Sequence, residues 1–435
     1  MGGGTSAAVR ATNGETVHMT DTAICPYCGE TIVLGECAIV ATEFVTQSSS
    51  TFDGLTSAGK DPHDDISSDG RHRPLSGKRV FGWAGPNKEW PIIHLAPLSE
   101  FAAIPRNRWS RLTSGVPMLS SVDEVGPLED LPARICPECE TPLPTDVDDR
   151  ELLTIAVVGV QGATKTHYLG SMLHTAYHEQ ALYESIGCTE FAPDEQSAKR
   201  FHEEYYLRLF AAGGKAIGVT LVTEDIRFRP LAFRATFRDG VRRTLLFHDV
   251  AGEVFTNRAM RNRIAPFVRR ADGVIFLVDP QWIPKVGQYL KHHYGMAVPP
   301  APRNQADLMS AVTEEIARTR DLSMVPAAVA ISKSDLIVGA LGGTFRFDKD
   351  PPVERDAWMA DMNEVSDEVE GLLDGELRAP DLLAAIRRLP HATYHAVAPL
   401  GVQPGEQSLT LSDIRPRRCL DPLVSVLNRI TDSAI

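Results

Sequence analysis

One stretch of the sequence limits the fold more than any other: an apolar run that leads into a glycine-containing loop and then into a helix-forming segment. The run covers residues 152–158, the loop GVQGATKT covers 159–166, and the helical pattern covers 165–183. A strand, a loop of small residues and a helix in this order hold phosphate groups, because backbone N–H groups and the helix N-terminus face the anion. The sequence therefore predicts an α/β domain with a phosphate-binding loop.

The loop departs from the pattern G-x-x-x-x-G-K-[ST] at one position. Lys165 is expected to reach the β and γ phosphates, and the Thr166 hydroxyl to ligate Mg²⁺. Thr164 stands at the second glycine position, where its Cβ would crowd the nucleotide or the loop, so we expect reduced affinity. The loop residues expected to contact nucleotide are Gly159, Gly162, Ala163, Thr164, Lys165 and Thr166. An ordinary strand-to-helix turn is the alternative.

After residue 150, apolar runs alternate with helix-length segments, which is typical of a mainly parallel sheet covered by helices. Asp239-Gly240 is a hairpin signal and predicts one antiparallel pair. Six strands are predicted, at residues 152–158, 230–238, 243–249, 273–279, 327–332 and 392–397. Helices are predicted at 165–183, 196–210, 305–318, 354–373, 380–388 and 422–430.

The third predicted strand ends in DVAGE at 249–253. Asp249 can hold Mg²⁺ through water, and the Gly252 N–H can contact a γ phosphate, so that the following segment senses hydrolysis. An ordinary loop also explains D-x-x-G. The position of the motif on a strand after the phosphate loop favours the switch.

The fifth predicted strand leads into SKSD at 332–335, a motif close to the [NT]-K-x-D that reads guanine. The Asp335 carboxylate would accept two guanine donors that adenine lacks. Lys333 would lie along the purine face, and Ser332, which replaces the usual Asn or Thr, would brace the loop less well. After the sixth strand, Pro399 has no N–H, so the bond to guanine O6 is expected from its neighbours, Ala398 or Leu400.

These motifs in this order resemble P-loop GTPases of the translation-factor-related (TRAFAC) class, most closely bacterial double-GTPase type domains with a DVAGE-like switch. The resemblance covers about residues 151–435. It implies a Ras-like three-layer sandwich with a six-stranded, mostly parallel sheet, with GTP or GDP and Mg²⁺ as ligands. It also implies the roles given above to the phosphate, switch and base motifs. Such domains often belong to bacterial conflict or signalling systems with partner GTPases.

The resemblance further implies a first switch with a magnesium-binding threonine, for which Thr223 and Thr220 are the candidates, Thr223 being preferred. Glu253 follows the switch glycine where many relatives use glutamine. A carboxylate there can polarise water but repels the γ phosphate, so we expect slow turnover without a partner. Lys165, Gly252 and Glu253 are the expected catalytic residues.

Two C-P-x-C turns precede the GTPase-like region, at 25–28 and 136–139. Four thiolates in matched tight turns suit Zn²⁺, and the long interval between the turns predicts one zinc ribbon split by an insertion at about 40–130. Two unrelated surface turns are the alternative. The expected ligands are Cys25, Cys28, Cys136 and Cys139.

Composition narrows the function classes. The chain has 435 residues, and its net charge is −13. An acidic surface repels phosphate backbones, so nucleic-acid binding is disfavoured. Without a long apolar run or a leader-type start, we expect a cytoplasmic protein with no membrane contact. The expected segments are a disordered tail at 1–20, the split zinc ribbon at 21–141, a linker at 142–150 and a GTPase domain at 151–435.

The sequence thus favours a magnesium-dependent GTPase whose zinc-ribbon region contacts a protein partner, either another GTPase or an effector. A non-hydrolysing, nucleotide-gated adaptor is a second hypothesis, motivated by departures from the motifs at Thr164, Ser332, Glu253 and Pro399. A zinc-ribbon nucleic-acid-binding module is a third.

Overall fold

The computed structural model divides the chain into two compact units, Met1–Leu152 and Leu153–Ile435. It describes residues 9–10, 16–17, 22–25, 29–33, 38–46, 89–94, 133–136, 143–144, 147, 150–160, 162–178, 187–211, 230–251, 268–295, 305–401 and 414–431. Within these ranges, no helix combines the length and the apolar character needed to cross a membrane.

The first unit consists of small antiparallel sheets. Its strands are β1 (Val9–Arg10), β2 (Thr16–Val17), β3 (Thr22–Ile24), β4 (Thr31–Val33), β5 (Ala38–Thr46), β6 (Glu89–His94) and β7 (Ala133–Ile135). β1 pairs with β2 inside the segment 1–20, for which the sequence predicted no structure. β5 pairs with both β6 and β7, so the chain after the first cysteine turn meets the chain before the second.

A small apolar cluster forms within the first unit. It contains Cys25, Ile32, Cys136, Leu143 and Val147, all buried. The sequence assigned residues 142–150 to a linker. Two residues of that segment, Leu143 and Val147, belong to the same cluster as the two cysteines.

The second unit is built on one mixed sheet of seven strands, whereas six were predicted. The strands are β8 (Glu151–Gly159), β9 (Glu190–Pro193), β10 (Leu231–Thr236), β11 (Arg242–Ala251), β12 (Gly273–Val278), β13 (Ala327–Ile331) and β14 (Ala392–Ala396). Their order is β14-β13-β12-β8-β11-β10-β9. The additional strand is β9, which pairs antiparallel with β10 at the sheet edge. The predicted hairpin joins β10 to β11.

The parallel half of the sheet places loops of several motifs at one edge. β8, β12, β13 and β14 are parallel neighbours. All residues of β12 and β13 are buried, although side chains alternate between faces along a strand. Helices therefore cover both faces, as parallel sheets require, and the carboxyl ends of these four strands share one edge.

The helices follow the predicted positions, with two additions. They are α1 (Lys165–His178), α2 (Glu195–Arg200), α3 (Leu207–Leu209), α4 (Pro284–Tyr294), α5 (Gln305–Ala317), α6 (Ser334–Leu341), α7 (Arg355–Asp374), α8 (Pro380–Ile386) and α9 (Asp421–Ile430). A π-helical segment, Phe201–Tyr206, joins α2 to α3. The sequence did not predict α4 and α6.

Candidate functional site

The loop predicted to bind phosphate lies between β8 and α1, as the strand-loop-helix pattern requires. The Lys165 ammonium donates hydrogen bonds to the carbonyl oxygens of Gly159 at 2.8 Å and Val160 at 3.0 Å. The lysine thus lies back over the loop it belongs to. Anionic oxygens entering the loop would compete with these two carbonyls for the ammonium, since charge-assisted hydrogen bonds are the stronger ones.

Two residues of this loop have backbone conformations with positive φ. Gly162 has φ +85° and Thr164 has φ +58°. Glycine adopts this region freely, but a β-branched residue there is strained. The Thr164 carbonyl accepts the first helical bond, from the Tyr168 N–H at 2.8 Å, and its hydroxyl donates to the Ala163 carbonyl at 2.7 Å. The loop therefore keeps a glycine-like conformation without the glycine.

The switch aspartate lies next to the phosphate loop. The Thr166 hydroxyl donates to Asp249 Oδ2 at 3.0 Å, although the two residues are 83 positions apart. Asp249 occupies the C-terminal part of β11. A hydroxyl and a carboxylate oxygen are hard ligands of the kind that Mg²⁺ prefers. The described residues contain no group of three or more His, Cys, Asp or Glu side chains that could hold a metal by themselves.

The residue before this aspartate is a buried histidine. His248 is 3 % exposed, and burial lowers its pKa to about 3. Its ring is therefore neutral at pH 7. The His248 ring therefore adds no positive charge beside the Asp249 carboxylate.

The base motif forms the turn between β13 and α6. Ser332 is buried, and its N–H and hydroxyl donate to the Val278 carbonyl at 2.8 and 3.1 Å. Lys333 has φ +51°, a strained conformation of the kind that clusters at functional sites. Burial raises the pKa of Asp335, while the charges of Arg417 and Lys333 oppose the shift.

The loop after β14 engages a segment from later in the chain. The Ala398 N–H donates to the Arg417 carbonyl at 3.1 Å, and the Arg417 N–H donates back at 3.0 Å. Of the two predicted O6 donors, the geometry therefore favours Leu400. The Ser171 hydroxyl on α1 donates to the Pro399 carbonyl at 2.6 Å and ties this loop to the helix of the phosphate loop.

One residue of the site was missed from the sequence. Asp279 follows β12 directly, and its Oδ2 accepts a hydrogen bond from the Lys333 ammonium at 2.8 Å. It is fully buried. An acidic residue directly after an all-apolar strand was the signal that could have indicated it, as it did for Asp249.

Several predicted residues lie outside the described ranges: Thr220, Thr223, Gly252, Glu253, Cys28 and Cys139. Their roles remain predictions. Of the proposed zinc ligands, Cys25 and Cys136 belong to one buried cluster, which brings one cysteine of each turn into the same small core. The turn after Cys25 is closed by the Gly29 N–H, which donates to the Cys25 carbonyl at 2.9 Å.

Two comparisons with known sequences give matches. Residues 153–364, just under half of the chain, match the model of a family described as Double-GTPase 2. SaeC of Mycolicibacterium smegmatis, provisionally named as an ESX-1 scaffolding and assembly protein, is 25 % identical over 312 residues. That alignment covers 66 % of this chain and 78 % of SaeC. The family match supports a P-loop GTPase domain in this part of the chain.

Solved structures give weaker likenesses. The GTP-bound GTPase-like domain of Saccharomyces cerevisiae Ski7 aligns with 64 % of this chain and 50 % of its own, at 10 % identity and TM-score 0.29. The small COPII coat GTPase SAR1 of Encephalitozoon cuniculi, solved with GDP, aligns with 64 % of this chain and 82 % of its own, at 11 % identity and TM-score 0.27. The chain thus spans half of the Ski7 structure. Likeness at these TM-scores carries no conclusion about fold or function.

Proposed function

We propose that the second unit binds GTP and GDP together with Mg²⁺ in the cleft between the phosphate loop, the end of β11 and the base motif. The observation that carries this proposal is the 3.0 Å contact between Thr166 and Asp249. This contact joins the phosphate loop to the acidic end of β11. A magnesium ion bound to the phosphates of a nucleotide needs oxygen ligands at this position.

Within this proposal, each group of the loop has a defined task. The amides of 159–166 and the N-terminus of α1 bind the phosphate oxygens, and Lys165 exchanges its two carbonyl partners for the β and γ phosphates. Bound Mg²⁺ would neutralise the developing charge on the phosphates. Thr166 and Asp249 are the residues that would hold it, with Thr223 as the preferred third ligand and Thr220 as the alternative.

Hydrolysis would proceed by attack of water on the γ phosphate, with positioning and charge neutralisation supplying most of the rate. Gly252 would contact the γ phosphate, and Glu253 would orient the water. A carboxylate at that position faces phosphate oxygens of the same sign. We therefore expect slow turnover that a protein partner accelerates, as in a TRAFAC-type switch.

Guanine would be selected at the base motif. Asp335 would accept the two guanine donors, Lys333 would lie along the purine, and Leu400 would donate to O6. Burial raises the pKa of Asp335, so the bound base must be read by a carboxylate that Arg417 and Lys333 help to keep ionised. Adenine offers neither of the two donors, and the unpaired carboxylate would disfavour it.

The first unit is proposed to contact a protein partner through a zinc ribbon. Cys25 and Cys136 are soft ligands buried in one cluster, and the residues fit a Cys₄ site once Cys28 and Cys139 of the same turns complete it. Zinc would fix the two turns against each other. From the name of SaeC, we also propose that such a partner contact serves a scaffolding role.

The proposal is tested by titrating the full chain with fluorescent GTP, GDP and ATP in the presence of Mg²⁺. We expect GTP and GDP to bind and ATP to bind weakly or not at all. Lys165→Ala should abolish binding, and Lys285→Ala should not change it, because Lys285 is an exposed lysine paired with Glu376. Equal affinity for GTP and ATP, or unchanged binding by Lys165→Ala, would contradict the proposal.

A non-hydrolysing adaptor is the second candidate. The threonine at position 164 in place of glycine and the engagement of the Ala398 N–H by Arg417 are departures at nucleotide-contacting positions, and both favour a site that binds without turning over. Single-turnover measurements separate the two functions. GTP that stays intact on the protein with Mg²⁺ and candidate partners present supports the adaptor, whereas release of phosphate supports the GTPase.

A further inference from the structure

Asp279 is a buried carboxylate beside the proposed nucleotide cleft, and none of the functions assigned above uses it. Its side chain is 0 % exposed. Oδ2 accepts hydrogen bonds from the Lys333 ammonium at 2.8 Å and from the side-chain amide of Gln281. Oδ1 accepts from the Gln281 N–H at 3.2 Å. These bonds fix both oxygens of the carboxylate.

The backbone of Asp279 is held as firmly as its side chain. Its N–H donates to Gln305 Oε1 at 2.6 Å, and its carbonyl accepts from Gln305 Nε2 at 3.1 Å. Gln305 is the first residue of α5. The orientation of Asp279 is therefore set by β12 and α5 together. It does not depend on the base motif that its carboxylate contacts.

The same carboxylate also lies against the phosphate loop. A Cβ placed on Gly162 would lie 3.4 Å from Asp279 Oδ2, which is van der Waals distance. Asp279 therefore lies beside the phosphate loop at Gly162, with room for little more than a methyl group between them, and it contacts the base motif at Lys333. Lys333 has φ +51°, a strained conformation for a residue with a Cβ, which persists only where its neighbours hold it.

The charges of Asp279 and Lys333 have opposite effects on the binding of a nucleotide. A buried carboxylate beside a loop that receives phosphates repels them, because little water is present to screen the charge. The Lys333 ammonium, 24 % exposed at its side chain, neutralises that carboxylate from the side of the base. Lysine in turn has four rotatable carbon–carbon bonds, and the carboxylate holds its charged end in one place.

We propose that Asp279 is a positioning residue that places Lys333 against the base, and that Lys333 in return shields the phosphates from Asp279. This inference rests on the proposed function. The pair is then one unit with two tasks, and neither residue tolerates the loss of the other. The relation is specific in sign, because removing the carboxylate should harm a protein that keeps Lys333 and help a protein that lacks it.

A double-mutant cycle on the full chain tests the inference, with the GTP dissociation constant in the presence of Mg²⁺ as its readout. Asp279→Asn should weaken GTP binding on the order of tenfold, the size of one charge-assisted hydrogen bond. Lys333→Met should weaken it at least as much. In the Lys333→Met background, however, Asp279→Asn should strengthen GTP binding several-fold, because the unpaired charge beside the phosphates is removed.

The matched control is Asp272→Asn. Asp272 precedes β12 at its other end, accepts the Thr154 N–H at 2.8 Å and pairs with Arg320 at 3.2 Å, so it too is a carboxylate at an end of β12 with a backbone N–H and a cation as partners, and its side chain is 23 % exposed. We expect that variant to alter thermal stability and to leave the GTP dissociation constant unchanged. Equal weakening of GTP binding by both aspartate variants would mean that Asp279 acts only through the stability of the fold, and would overturn the inference.

A second readout needs no nucleotide. Acylation of Lys333 by a limiting amount of reagent, followed by mass spectrometry of the Lys333 peptide, should be several-fold faster in Asp279→Asn than in the wild type and unchanged in Asp272→Asn. Unchanged reactivity in Asp279→Asn, or a further loss of GTP affinity in the double variant, would overturn the inference. Failure of the wild type to bind GTP would instead remove the proposed function. The reactivity measurement would still show whether Asp279 holds the Lys333 ammonium in place.

Discussion

Replacing Thr164 by glycine should stabilise the second unit, against the usual effect of glycine at the start of a helix. Thr164 has φ +58° and is β-branched. An L-residue in this region is strained by roughly 1–2 kcal/mol, and a branched Cβ places Thr164 at the upper end of the range of about 1–3 kcal/mol for strained backbones. Glycine has no Cβ and should release this strain completely.

Two opposing contributions reduce the gain. The glycine variant loses the 2.7 Å hydrogen bond from the Thr164 hydroxyl to the Ala163 carbonyl. This bond is partly buried and contributes about 0.5 kcal/mol. The more flexible unfolded chain of the glycine variant costs a further 0.5–1 kcal/mol or so. The net expectation is an increase of about 1.5–2 kcal/mol in the free energy of unfolding, with Thr164→Ala between the wild type and Thr164→Gly.

The assay is urea unfolding of the nucleotide-free full chain. Arg378→Gly is the matched control, because exposed Arg378 has φ +49° far from any nucleotide motif and should gain stability for the same reason. GTP affinity should rise in Thr164→Gly, where the Cβ beside the phosphates disappears, and stay constant in Arg378→Gly. A loss of about 1 kcal/mol in Thr164→Gly, as at an ordinary helical position, would refute the reasoning.

Three further predictions concern other parts of the second unit. Asp335→Asn should lower the preference for GTP over ATP at least about tenfold in competition titrations, because an amide cannot accept both guanine donors. The folded pKa values of His248 and His395 are lowered to about 3 from 6.5, so the unfolded chain takes up protons first as the pH falls. Stability should therefore drop by on the order of 1 kcal/mol per histidine between pH 6.5 and 5.5 in urea titrations; constant stability would contradict this. Arg418→Met should cost about 3–5 kcal/mol by leaving the buried Asp421 carboxylate without its cationic partner, whereas Arg387→Met, at an exposed pair with Glu370, should cost at most about 1 kcal/mol in the same assay.

The strands of the second unit were predictable because burial on both faces leaves a continuous apolar run in the sequence. All six predicted runs agree with their strands to within two residues at each end. β9 was missed because it is an edge strand of four residues that ends in proline and therefore carries little pattern. α6 was missed because it starts inside the base motif, at Ser334, and its N-cap Lys333 has the αL conformation.

The site was predictable to the extent that its motifs follow parallel strands, since the carboxyl ends of such strands meet at one edge of the sheet. The strand order, with β11 next to β8, brings Thr166 next to Asp249 from 83 positions away. The pairing of Asp279 with Lys333, 54 positions apart, could not be predicted, because it depends on which side chains of neighbouring strand ends face each other. The engagement of Ala398 by Arg417 depends on a chain return that the local sequence does not indicate.

The central claim is that the loop after β8 holds the phosphates of a guanine nucleotide, and a crystal structure of the full chain grown with GDP and Mg²⁺ tests it most directly. We predict phosphate density enclosed by the amides of 159–166, with the Lys165 ammonium moved from the carbonyls of Gly159 and Val160 onto the β phosphate. A loop without phosphate density, with Lys165 still 2.8 Å from the Gly159 carbonyl at saturating GDP, would contradict the claim.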